Sequence, residues 1–225
     1  MADEGLVGVL VGVGASAGGV EALLALVAGL DEDLPVALFV VLHQAAAAPT
    51  VLPGLLARRC RLPVEDARDG APVRPGRVVV ARPDHHLLVR DGHVVLGRGP
   101  REDGHRPGVD PLFRSLAREA GPGAVGVVLS GLLDDGAAGM LEIVRRGGSA
   151  IVQEPGEARH DSMPCAALDR VPGAIVTSAH AVGAVLREIV APTSSAGAMP
   201  AGGLRSLLAG DARRRGPEES GSGRP

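Results

Sequence analysis

Val7-Gly-Val-Leu-Val-Gly-Val-Gly-Ala-Ser-Ala-Gly-Gly19, continued by Val20-Glu-Ala-Leu-Leu-Ala-Leu-Val27, is the stretch that decides the fold. Small and β-branched residues enter a glycine-dense bend and good helix formers leave it, so the stretch reads as strand, tight turn, helix. One serine, Ser16, stands at the bend. There its hydroxyl would project from the carboxyl end of a buried strand, against the free N–H groups of a helix's first turn.

The same alternation recurs outward from this stretch. The first helix is expected to end near Gly29, and Leu34-Pro-Val-Ala-Leu-Phe-Val-Val-Leu-His43 is a continuous apolar run, a second buried strand that ends on a histidine. Residues 46–60 are compatible with a helix that carries Pro53 near its start or is kinked by it, and 64–76 read as a loop with short extended pieces. Residues 77–82 form a strand. Asp91-Gly92 between two apolar runs over 87–96 predicts a hairpin, because both turn positions tolerate positive φ. The polar segment 97–108 precedes a helix with Asp110 as N-cap and Pro111 at its first position. Val109, Leu112, Phe113, Leu116, Ala117 and Ala120 share one face of that helix, and Gly121 stops it. Further strands at 124–130, 149–153 and 174–176 alternate with helices at 137–146, 163–170 and 178–190. The expected fold is α/β: a doubly wound, mainly parallel sheet of about seven strands with a small antiparallel hairpin.

One domain over 1–191 suits a chain of 225 residues, followed by a Ser/Gly/Ala/Pro/Arg-rich tail over 192–225 that is expected to be disordered, with a weak helix at 204–208. The chain is 45% hydrophobic with two Phe and no Trp or Tyr, so Val, Leu and Ala must fill the core. A net charge of −3 argues against a nucleic-acid partner. Cys60 and Cys165 stand alone and far apart, which fits neither a metal site nor a disulfide framework and points to a reducing, cytoplasmic setting. The apolar N-terminal run lacks a basic flank and is broken by glycines, so neither a signal peptide nor membrane insertion is expected.

Two motifs compete at the first turn. Gly12-x-Gly14-x-x-Ala17 fits a loose dinucleotide fingerprint, but that chemistry needs an acidic residue at the end of the second strand, and His43 stands there. Gly14-Ala-Ser16-Ala-Gly18 matches a nucleophile elbow. A serine needs a base to take its proton and an acid to orient that base. In a parallel sheet, strand ends gather along one edge, so Ser16, His43 and the Asp134-Asp135 pair can meet there. Taken singly, Ser16 and Asp135 could each be no more than helix caps and His43 a satisfied strand-end residue; three such strand ends together favour catalysis. His85, His86 and His93, around the hairpin, carry a weaker functional signal, whereas His160 and His180 read as surface residues and Arg213 to Arg215 as solvated tail.

With these residues assembled, the chain resembles the catalytic domain of CheB-type protein-glutamate methylesterases. The resemblance rests on Val11-Gly-Val-Gly-Ala-Ser-Ala-Gly-Gly19, Val40-Val-Leu-His43, Ala81-Arg-Pro-Asp-His-His86, His105-Arg-Pro-Gly-Val-Asp-Pro-Leu-Phe113, Leu129-Ser-Gly-Leu-Leu-Asp-Asp-Gly-Ala-Ala-Gly-Met140, and Gln153-Glu-Pro155 before Met163-Pro164. It implies a catalytic triad of Ser16, His43 and Asp135, the aspartate directly before the Gly-Ala-Ala-Gly-Met run, with no cofactor and no metal. It also implies demethylation of glutamate γ-methyl esters on a protein such as a chemoreceptor cytoplasmic domain, with glutamine deamidation as a side activity. Departures from the family pattern are Ala17 for threonine, Leu132 for methionine, Asp134 for asparagine and the Ala45-Ala-Ala-Ala48 segment. Leu132 and Asp134 support the alternative of a non-catalytic binding or scaffold domain. Because the first strand starts near residue 6, no receiver domain is expected before it.

Overall fold

The computed structural model describes residues 8–47 and 51–191; the expected tail, its weak helix and Arg213 to Arg215 lie outside them. Strand β1 (Val9–Ala15) leads into helix α1 (Gly19–Ala28), strand β2 (Val36–Leu42), helix α2 (Leu52–Ala57) and strands β3 (Val64–Asp66) and β4 (Arg77–Val80). A hairpin of β5 (His86–Arg90) and β6 (His93–Gly97) follows, then helix α3 (Val109–Ala120) and strand β7 (Ala124–Val128). Helix α4 (Ala137–Arg145), strand β8 (Ser149–Gln153), helix α5 (Ser162–Arg170), strand β9 (Ile175–Thr177) and helix α6 (Val182–Val190) complete the described fold. The main sheet has seven strands in the order β3-β4-β2-β1-β7-β8-β9, every pair parallel, and β5-β6 form a separate antiparallel pair. The expected fold class is therefore borne out.

The sheet carries an apolar layer on each face. Val11, Val13 and Ala15 of β1 and Leu38 and Val40 of β2 pack with Leu23, Leu26 and Val27 of α1 and Leu186 of α6. Phe39, Val41, Val128 and Val152 face the other way, against Phe113 and Leu116 of α3 and Met140 of α4. Gly12 and Gly14 of β1 lie beneath α3, where a Cβ on Gly12 would come within 2.9 Å of the Phe113 ring and one on Gly14 within 2.3 Å of Val109 Cγ1. These glycines let a helix pack closely on the strand. That role accounts for the Gly-x-Gly spacing without a nucleotide.

Strands expected at 77–82 and 124–130 end two residues early, at Val80 and Val128, and three helix starts differ for local reasons. Helix α2 covers six residues, because Pro53 has no N–H to continue a helix from the preceding turn and must sit in the first turn. Helix α6 begins at Val182 rather than 178, since Ser178 Oγ accepts the Ala181 N–H at 3.2 Å and closes a local turn in place of a helical one. Asp110 is not the N-cap of α3: Gly108 holds that position without a side-chain cap, and Asp110 lies inside the helix. Asp91 (φ 49) and Gly92 (φ 71) form the hairpin turn as expected, and the Glu119 carboxylate of α3 accepts both of their N–H groups, at 3.0 and 2.7 Å.

Candidate active site

In a doubly wound sheet a crevice opens where consecutive connections leave in opposite directions, here between β1 and β7. Ser16 follows β1, His43 follows β2 beside it, and Asp135 lies in the turn after β7. The parallel ladder runs on past the strand ends: Ser16 N–H donates to Ser130 C=O and His43 N–H to Ala15 C=O, both at 3.0 Å. Backbone pairing thus sets the positions of the serine and the histidine.

Their side chains meet. Ser16 Oγ lies 3.1 Å from His43 Nδ1, and His43 Nε2 lies 2.8 Å from Asp135 Oδ2. An ionised carboxylate can only accept, so Nε2 carries the ring proton and Nδ1 turns its lone pair to the serine. The two ring nitrogens have exchanged the places they hold in the chymotrypsin-type triad, while the series hydroxyl, imidazole, carboxylate is the same. Asp135, 1% exposed, also accepts the Val109 N–H at Oδ2 and the Asp110 N–H at Oδ1, each at 2.8 Å. Burial alone would push this carboxyl up. The hydrogen bonds from His43, Val109 and Asp110 outweigh that effect and hold it below the usual carboxylate range.

The capping alternatives do not describe these residues. The N-cap of α1 is Gly18, in the left-handed region at φ 69, and that of α4 is Gly136. Neither helix has a side-chain cap, so Ser16 and Asp135 do other work. Asp134, which sequence spacing left level with Asp135, is exposed, as are Leu132 and Leu133. The two departures that kept a non-catalytic domain in view therefore lie outside the hydrogen-bonded series.

Several contributors were not singled out from the sequence. The His105 ring stacks on His43 with centroids 3.7 Å apart and planes 6° from parallel. Burial, then the neighbouring His43, depress the His105 pKa and favour its neutral form. It comes from the polar 97–108 loop, which has no periodicity to mark it. Ser130 Oγ donates to Ala17 C=O at 2.8 Å and accepts the His160 N–H at 3.0 Å, and Gln153 Oε1 accepts the Ser130 N–H at 2.8 Å. His160, expected at the surface, is half-buried, and its backbone brackets Ser130 and Gly131. A Cβ on Gly131 would lie 2.0 Å from Met163 Sδ and 2.9 Å from Ser16 Cβ, so only glycine fits behind the serine.

The three histidines around the hairpin are engaged in hydrogen bonds outside this series. Buried His86 links the Gly108 N–H at 3.2 Å to the Pro100 C=O at 2.9 Å. His85 bonds Pro83 C=O and accepts from Arg98, and the exposed His93 bonds Asp91 C=O. Two groups, His43 with His105 and Asp135, and Asp103 with Asp110 and Asp135, bring possible metal-ligand atoms within 4.8 Å. In the first, the rings lie face to face, so their in-plane lone pairs run parallel and do not converge on one point. In the second, Asp110 and Asp135 already accept backbone N–H groups.

A serine, a histidine and a buried aspartate hydrogen-bonded in series at the carboxyl edge of a doubly wound sheet define an α/β protein with serine-hydrolase geometry. The chain belongs to the CheB methylesterase family, whose sequence model matches residues 11–186. It is 43% identical over 160 residues to protein-glutamate methylesterase/protein-glutamine glutaminase 5 of Anaeromyxobacter dehalogenans, covering 68% of this chain and 43% of that protein. It is 42% identical over 149 residues to protein-glutamate methylesterase/protein-glutamine glutaminase of Sulfurimonas denitrificans, covering 64% of this chain and 42% of that protein. The chain thus spans less than half the length of these curated relatives. The crystal structure of the Thermotoga maritima CheB methylesterase catalytic domain superposes with a TM-score of 0.79 at 26% identity, covering 82% of this chain and all of that one.

Proposed function

We propose that this chain is a serine esterase that demethylates glutamate γ-methyl esters on a protein. The observation that carries the reading is the series Ser16 Oγ, His43, Asp135, with its acid buried and ionised. His43 Nδ1 takes the Ser16 proton as Oγ bonds to the ester carbonyl carbon. The imidazolium returns that proton to the departing methoxide, and the C–O bond breaks to give methanol. A water molecule, deprotonated by the same nitrogen, then attacks the acyl-enzyme, and the glutamate carboxylate leaves as Ser16 regains its proton. Among the described residues no acceptor takes the Ala17 N–H, the group after the nucleophile at the entrance to α1, which leaves it free for the developing oxyanion. Glutamine deamidation passes through the same tetrahedral state with ammonia in place of methanol.

The substrate is a methylated protein of the chemoreceptor type and the setting is the cytoplasm. Among the described residues no helix is long and apolar enough to cross a membrane. Ser16→Ala tests the reading: methanol release from a methylated protein should fall by roughly 10⁶-fold, and labelling by a fluorophosphonate should disappear. A variant that releases methanol at the parent rate overturns it.

A further inference from the structure

The cleft in front of the serine has a volume of about 350 Å³ and is lined by Ser16, His43, Gln44, Ala45, Gly104 and His105 together with two arginines, Arg101 and Arg106. Among the described residues no carboxylate lines it; Asp135 lies behind the His43 ring, 1% exposed. Arg106 is tied to Asp84 Oδ1 through Nε at 3.0 Å and Nη2 at 2.6 Å, and Arg98 Nη2 lies 3.9 Å from Asp84 Oδ2. Arg101 acts on the same carboxylate through space, and the three guanidinium groups together hold the Asp84 pKa below the usual range. Three positive charges therefore share one negative charge. Arg101 is exposed, and among the described residues it has no carboxylate within 4 Å.

Hydrogen bonds cross the loop that carries these arginines. Glu102 and His105 exchange both backbone hydrogen bonds, at 3.1 and 2.8 Å, Arg106 Nη1 donates to Gly99 C=O at 2.7 Å, and Arg101 Nη1 to Gly104 C=O at 3.5 Å. Burial, then the neighbouring charges of Asp135, Asp134 and Glu102, push the Asp103 pKa up. None of these carboxylates lines the cleft. Among the described residues, the side chains that line the cleft and carry a permanent charge are therefore Arg101 and Arg106.

We propose that Arg101 selects protein substrates in which an acidic side chain lies beside the esterified glutamate. A methyl ester carries no charge, so a carboxylate partner for the Arg101 guanidinium would come from a neighbouring residue of the substrate. This inference rests on the esterase reading above. An exposed ion pair of this kind changes the specificity constant by roughly fivefold, and the effect is screened at high salt.

The test measures methanol release from two γ-methyl-glutamyl peptides that differ only in a flanking glutamate or glutamine. For the parent protein the kcat/KM ratio should favour the glutamate peptide by about fivefold through KM, and the preference should shrink as ionic strength rises. Arg101→Ala should abolish the preference, and Arg101→Glu should transfer it to a third peptide with a flanking lysine. Turnover of both peptides with equal KM in the parent, or a preference that survives in both variants, overturns the inference and leaves the esterase reading standing. No methanol from any peptide overturns both.

Discussion

Asp110 offers a direct test of how charge is distributed behind the triad. It is 6% exposed, its Oδ1 accepts the Gly139 N–H at 2.7 Å, and Arg114 Nη1 stands 3.6 Å from Oδ2. Burial, together with the nearby Asp135 charge and against the Gly139 hydrogen bond, raises its pKa from 3.8 to about 6. The folded protein therefore keeps a proton that the unfolded chain has already released between about pH 4 and pH 6. Its stability falls across that window, and above it the ionised Asp110 costs about 3 kcal/mol, from ~2 pKa units at ~1.4 kcal/mol each. Asp110→Asn keeps the shape and an oxygen for Gly139 but cannot ionise. At pH 8 the variant should be more stable than the parent by about 1–3 kcal/mol, the lower end reflecting an amide N–H turned towards the Arg114 guanidinium. That corresponds to a Tm rise of roughly 5 °C, and the gain should nearly vanish at pH 4, where the parent residue is protonated in the native state. Thermal melts of both proteins at the two pH values measure it. An equal gain at both pH values, or none at pH 8, refutes the reasoning. Asp110→Ala is the control: it strands the buried Gly139 N–H and should destabilise by about 1–3 kcal/mol even at pH 4.

Other perturbations probe the site itself. Asp135→Asn should lower the rate of methanol release by about 10⁴-fold with the fold intact by circular dichroism, because the amide cannot hold the His43 tautomer; a loss under tenfold speaks against that role. His105→Ala should reduce kcat by roughly 10- to 100-fold with little change in KM, since removing the stacked ring frees His43 to turn away from Ser16, and a kcat within twofold of the parent rejects the assignment. Gly131→Ala should impair turnover and lower the Tm, as its methyl group must displace Met163 or Ser16; parent-like values of both contradict the packing.

The features legible in the sequence are those with local causes. Strand β8 was expected at 149–153 and lies at Ser149–Gln153, and Asp91-Gly92 announced its hairpin because both residues must adopt positive φ. Ser16 and His43 could be found because each ends an apolar run, and strand ends in a parallel sheet share one edge. His105 was not legible as a site residue, because its position depends on a loop whose order comes from contacts with Asp84 and across the loop itself rather than from any repeat. The choice between Asp134 and Asp135 was closed to pattern reasoning for a similar reason. It depends on which of two adjacent side chains turns inward, and that is decided by backbone N–H groups about 25 residues earlier.

The misplaced cap of α3 shows why the choice falls as it does. An Asp-Pro pair at the start of an amphipathic run predicts that the aspartate caps its own helix, yet α3 begins two residues earlier than that, at Val109, with Gly108 before it and no side-chain cap. The N–H groups of Val109 and Asp110 are instead taken by Asp135, and the Asp110 carboxylate reaches across to Gly139 in the first turn of α4, the helix that follows Asp135. Each segment thus supplies the carboxylate that the other's helix start lacks. The exchange fixes Asp135 from two sides and leaves the rest of Oδ2 to His43. It also explains why a buried carboxylate with a raised pKa is tolerated at position 110: a self-capping aspartate there would leave the backbone of α4 unpaired and the acid of the triad free to swing away from the histidine.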